Sequence, residues 1–184
     1  MREIELPSNS NNEALVMRSG TPEPLKLLAL DHDDLKILSA HLQDAVLRLA
    51  DMVYMPSEQH FAAILSRFDW LAAETGDGKQ SNLRRCKCAL RFDRVKRAQV
   101  QKIRPGEPFA VAELLAMTFE EVDAPGGFIT LHFAGGGGLR LEVECIEAAL
   151  HDLGPAWRAC AKPAHTIVEA DAVQPPATVF QNTK

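Results

Sequence analysis

The chain has 184 residues, 46% of them hydrophobic and 24% charged, with a formal charge of −5. That apolar content excludes a wholly disordered chain, and no uncharged apolar run is long enough to span a bilayer as a helix. Residues 1–12 mix charges with a Ser/Asn cluster and form no secretory h-region, so a cytoplasmic protein with no membrane partner is expected. In that compartment Cys86, Cys88, Cys145 and Cys160 read as thiols.

Residues 1–25 are polar and Pro-containing, which predicts a flexible N-terminal arm. Residues 164–184, with Gln174-Pro175-Pro176, read as a flexible C-terminal tail. Between them, 26–163 is the size of a single domain with its own core. Asp31 caps a helix predicted over 32–45, where Leu35, Leu38, Leu42 and Ala45 recur at helical spacing. Residues 46–55 and 60–70 form a hairpin across Pro56–Gln59, and Thr75–Asn82 is an exposed loop. Cys86, Cys88, Leu90 and Phe92 alternate with polar residues on a half-buried strand, which runs on to Ile103 after a bulge or bend near Val95. Arg104–Pro108 turns the chain.

Phe109, Val111, Leu115, Met117 and Phe119 share a parity, so 109–122 reads as a strand with those residues inward, a helical turn over 112–117 being the alternative. After the turn at Ala124–Gly127, Ile129, Leu131 and Phe133 face one side. Gly135–Gly138 then reverses the chain into a strand with Leu139, Leu141, Val143 and Cys145 inward. A helix over 146–153 closes on Gly154-Pro155. The sum is an α+β fold: a curved antiparallel β meander of about six strands, near barrel closure, covered by an N-terminal and a C-terminal helix. A pleckstrin-homology-like barrel has a comparable order.

Candidate chemistry is sparse. Cys86 and Cys88 point the same way but lack a second pair, and no His pair has helical metal spacing, so neither a metal nor another cofactor is expected. Asp31, Asp33 and Asp34 suit a helix start. Gly135–Gly138 lacks the Lys and following helix of a phosphate loop. Cys145 sits where a strand is expected to become a helix, yet its neighbours Glu144 and Glu147 oppose a thiolate. Charge is the clearest signal: nine of the 20 Lys and Arg lie between Arg84 and Arg104. Arg85, Lys87 and Arg91 would form an outward stripe and, with Arg97, are the candidate ligand-binding residues.

Leu27-Leu28-Ala29-Leu30-Asp31, Ser39–Ala45, Arg67-Phe68-Asp69-Trp70, Ala89–Asp93, Glu144–Glu147 and Leu153–Trp157 resemble the DUF2948 proteins of alphaproteobacteria over 26–165. That family is a domain of unknown function, so the resemblance carries over no catalytic residue. The preferred functional expectation is a small non-catalytic interaction or regulatory domain whose partner is another protein. The first alternative is a binder of nucleic acid or another phosphate-rich, anionic ligand through Arg84–Arg104. An enzyme using Cys145 or the Asp31–Asp34 group is the second. Absence of a concave pocket at Cys145 or the Asp31–Asp34 group would discard the enzyme, and whether His41, Asp69, Arg91 and Cys145 share one pocket is the most informative structural question.

Overall fold

The computed structural model describes residues 24–75, 83–103, 110–163 and 181–182. All but the last two residues of the expected N-terminal arm, most of the loop at 75–82, the turn at 104–108 and nearly all of the C-terminal tail lie outside the described residues. In chain order the elements are β1 (Lys26–Ala29), α1 (His32–His41), β2 (Ala45–Met55), β3 (His60–Phe68), α2 (Trp70–Thr75), β4 (Arg84–Phe92), β5 (Val95–Gln101), β6 (Val111–Asp123), β7 (Gly126–Phe133), β8 (Gly138–Val143), β9 (Ala148–Asp152), β10 (Trp157–Arg158) and β11 (Gln181–Asn182).

The strands form one open antiparallel sheet in the order β1-β9-β4-β3-β2-β6-β7-β8-β5-β11, with β10 extending along β4. The fold is mostly antiparallel β with few helices, and it exceeds the meander of about six strands that was expected. Hairpin neighbours pair as read, for example β2 with β3 and β7 with β8. What sequence order does not supply is the pairing of β9 with both β1 and β4, and of β5 with β8.

The sheet curls so that both halves feed one core. Leu65, Leu90 and Phe92 from the first half share it with Ile129, Leu131 and Leu141 from the second. The chain from β4 to β5 bridges the two halves, because Arg94 takes a left-handed conformation (φ 60°). Val95 N then donates to Gln59 O at the β2–β3 turn (2.8 Å), and Tyr54 Oη donates to Lys96 O (2.8 Å). The change of phase near Val95 is therefore a bend that moves the chain to another part of the sheet. At the turn before β8, Gly135 and Gly136 have φ of 77° and 76°, a region other residues rarely enter.

Three expectations need correction. The helix predicted over 32–45 ends at His41. Asp31 Oδ1 accepts from Asp34 N (2.8 Å) at its start as expected, but Asp44 N donates to Leu114 O (2.8 Å), so tertiary pairing claims the chain three residues after the helix. The C-terminal helix over 146–153 is strand β9. Ile146, Ala148, Leu150 and Asp152 are buried at every second position, and the unpaired edge of β4 requires a partner that a helix would not provide. The cover expected from two helices falls to α1, whose Leu35 and Leu38 are buried together with Leu42 just past its end; the cap of a pleckstrin-homology-like order is missing where β9 stands.

The third correction concerns β6. Leu114 is buried and Leu115 is 40% exposed, while Val111 is also exposed. The register on β7 shifts between Leu114 and Ala116, which places a bulge at Leu115 and inverts the parity before it. Met117 beyond the bulge is inward as read. Ser39 Oγ of α1 accepts from Met117 N (2.8 Å), tying the helix to the strand just past the irregularity.

Candidate functional site

Strand β4 lies between β3 and β9, so its outward residues sit inside a sheet face instead of along an edge. The registers give one row of outward residues across five strands: Leu28, Ala149, Arg91, Ala62 and Val53. A second row holds Lys26, His151, Ala89 and Ile64, and a third holds Lys87, Ser66 and Val46. Leu28 and Val53 are exposed, and so are Lys26, Lys87, Arg91 and His151. No Asp or Glu occupies these positions; the acid Glu113 enters where β6 begins, opposite Val46.

The four residues read as a cationic set do not act as one. Arg85 Nη1 donates to Ser66 O (2.9 Å) and Asp44 O (3.3 Å), and its guanidinium stands over Phe68, so it fastens the strand ends together. Arg91 Nη2 bonds Asp93 Oδ2 at 2.8 Å from an exposed position. Lys87 is exposed on the same face. Arg97 belongs to the other half, on β5, where it stands opposite Glu142 and next along the row to Phe128 and Glu120. On that half Arg140 pairs with Glu120 (3.5 Å) and covers the ring of Phe128 at 3.6 Å. The charges there alternate in sign, whereas on the β4 face the acid Asp93 meets Arg91 at the margin and Lys87 and Lys26 lie in rows without a carboxylate.

A second feature went unread in the sequence. Where β3, β4 and β9 end beside α1 and α2, a groove of about 620 Å³ opens. Its floor is an ion pair: Arg67 donates from Nε and Nη2 to the two oxygens of Asp152, each at 2.8 Å, with both side chains less than a tenth exposed. Leu25 N also donates to Asp152 Oδ2 (2.9 Å). Burial alone would raise the Asp152 pKa, but the bonds from Arg67 and Leu25 outweigh it and hold the carboxyl below its ordinary value. Arg67 is likewise held above its own ordinary value by Asp152 despite burial. Both lie at inward positions of otherwise apolar strands, so only the alternation of β9, mistaken for helix, could have found the pair.

His41, Asp69, Arg84 and Cys86 line the same groove. Burial, then the charge of Arg67, lowers the His41 pKa and favours the neutral ring. Cys86 is pushed up to about 11, by burial first and then by the adjacent Asp152 carboxylate, and Cys88 to about 12 by burial. Both are thiols at neutral pH, the opposite of what a cysteine nucleophile or ligand needs. Asp69 Oδ1 accepts from Ala72 N (3.2 Å) at the start of α2. Of the residues proposed to share one pocket, His41 and Asp69 do so, while Arg91 lines a separate small cleft with His60 and Asp93 and Cys145 lines neither. The Asp31–Asp34 group is spent on the helix start and on Lys36. Among the described residues no cluster of three His, Cys, Asp or Glu is placed to hold a metal, and no helix is long and apolar enough to cross a membrane.

Neither the curated proteins nor the solved structures give a match. The family model described as "Protein of unknown function (DUF2948)" matches residues 25–165, which takes in every described strand but β11 and both helices. The chain therefore belongs to the DUF2948 family.

Proposed function

We propose that this protein is a non-catalytic interaction module that docks an acidic surface of a partner protein on the outward face of β1, β9, β4, β3 and β2. The observation that carries this reading is the composition of these three rows: Lys26 and Lys87, with Arg91 paired to Asp93 at their margin, among Leu28, Val53, Ala62, Ala89 and Ala149, without one carboxylate at the same registers. On a chain with a formal charge of −5, rows that hold cations and no carboxylate are a departure from the average surface. Aliphatic residues between the cations supply area that can be desolvated, and the cations supply orientation and rate. None of the residues in the three rows is a Phe, Tyr or Trp, so the rows offer no such platform for stacked bases, which favours protein over single-stranded nucleic acid. The site belongs in the cytoplasm in this reading, where the buried thiols of Cys86 and Cys88 stay reduced.

The test uses poly-L-glutamate and a duplex DNA of mixed sequence as probes in titrations at several salt concentrations. Poly-L-glutamate is expected to bind in a salt-dependent manner. Lys87→Glu and Lys26→Glu together should weaken it about tenfold or more, and Arg97→Glu on the other half should not. Stronger binding of the duplex would replace the protein partner with a phosphate backbone, and an equal effect of Arg97→Glu would remove the face from consideration.

A further inference from the structure

The groove between the strand ends and the two helices is independent of that outward face. Its volume of about 620 Å³ is in the range of small-molecule sites, and its walls are largely aliphatic, from Leu25, Leu71 and Pro155. The Arg67–Asp152 pair at the floor is satisfied within itself: two guanidinium nitrogens and both carboxylate oxygens are engaged. It contributes a fixed, neutral base.

Two charges remain above it, Arg84 and Asp69. They are neighbours in the fold, since Asp69 N donates to Arg84 O at 2.9 Å. Among the described residues they form no ion pair with each other, and no carboxylate pairs with Arg84. Asp69 spends one bond on Ala72 N. His41 adds a ring whose neutral form is favoured. A ligand with one charge would meet either Arg84 or Asp69 and leave the other to be desolvated without compensation. A ligand with both charges satisfies both.

We infer that the groove binds a small zwitterion, an amino acid or short peptide, with its carboxylate on Arg84, its ammonium on Asp69 and an aliphatic side chain against Leu25, Leu71 and Pro155. The groove is lined by chain ends of several strands and by α2, so a bound ligand would tie β1, β3, β4 and the segment after β9 together and raise the stability of the whole domain.

The probes are L-leucine, leucyl-leucine, N-acetyl-L-leucine and L-leucinamide, with calorimetric titration and thermal melting of the full chain as readouts. One of the two zwitterions is expected to bind and raise the melting temperature; the tighter of them names the source. N-acetyl-L-leucine and L-leucinamide, each lacking one charge, should bind at least about tenfold more weakly than L-leucine. Arg84→Gln should abolish the difference between L-leucine and L-leucinamide. Asp69→Asn, whose amide oxygen still caps α2, should abolish the difference between L-leucine and N-acetyl-L-leucine. Equal binding of N-acetyl-L-leucine and L-leucine would make this an anion site and overturn the inference. Failure of both zwitterions to bind at millimolar concentration would overturn it too, whatever poly-L-glutamate does on the outward face.

Discussion

Arg67 and Asp152 meet as a two-bond fork, Nε to Oδ1 and Nη2 to Oδ2 both at 2.8 Å, although they are 85 residues apart in the chain. Each is an inward residue of a strand whose other inward residues are apolar, so each would be an uncompensated charge alone. Asp152→Ala is expected to destabilise the protein by about 3–5 kcal/mol in chemical denaturation, since it strands a buried guanidinium. Replacing both, as Arg67→Met with Asp152→Leu, should cost clearly less than the single change. The single and double variants losing the same stability would show the pair to be unimportant.

The same pair sets the acid limb of stability. Because the folded-state pKa of Asp152 lies below its ordinary value of 3.8, the stability it contributes is present above that value and is lost as pH falls through the lower folded one. Asp152→Asn should therefore flatten the decline in stability below about pH 4. Denaturation midpoints measured across the acid range would reveal it, and an unchanged acid limb would contradict the assignment.

On the alkaline side the sign reverses. Cys86 and Cys88 have folded pKa values raised from 9.0 to about 11 and about 12, so burial favours the thiol and the stability they lend is complete below 9.0. It drains as pH rises through the window between 9.0 and about 12. Cys88→Ala should lessen that alkaline loss while lowering stability at neutral pH through the small cavity it leaves. In thiol labelling of the native protein, the exposed Cys160 should react first and Cys86 and Cys88 only as the protein unfolds.

The bulge in β6 makes a prediction about neighbours in sequence. Leu114→Ala, at a fully buried position, should cost about 2–5 kcal/mol, whereas Leu115→Ala, at an exposed one, should stay within about 0.5 kcal/mol. Similar losses at both positions would place the register shift elsewhere.

Gly127 supplies a backbone test. A Cβ built there would stand 2.2 Å from Glu120 O and 2.9 Å from the ring of Phe119, so β6 and β7 close on each other only without a side chain. Gly127→Ala should destabilise by about 1–3 kcal/mol or more, because the nearest atom is backbone and cannot swing aside. Full stability of that variant in a thermal melt would show that the hairpin has room.

Much of this protein was legible as alternation. Period-two spacing located β4, β7 and β8 and the inward identity of Cys88, Leu90, Ile129, Leu131 and Leu141, because a half-buried strand has to place every second residue in the core. The helix start at Asp31 was legible for the same local reason, a side chain answering the backbone N–H of Asp34. The identity of β9 was decided by tertiary structure: Ala148, Ala149 and Leu150 favour a helix in isolation, and the open edge of β4 outweighs that preference with backbone hydrogen bonds. So was the fate of the cations, since spacing says which way a side chain points but not what waits there. Arg85 meets carbonyls, Arg97 meets an acidic row, and Arg67 meets Asp152, because curling the sheet brings together residues that the chain keeps far apart.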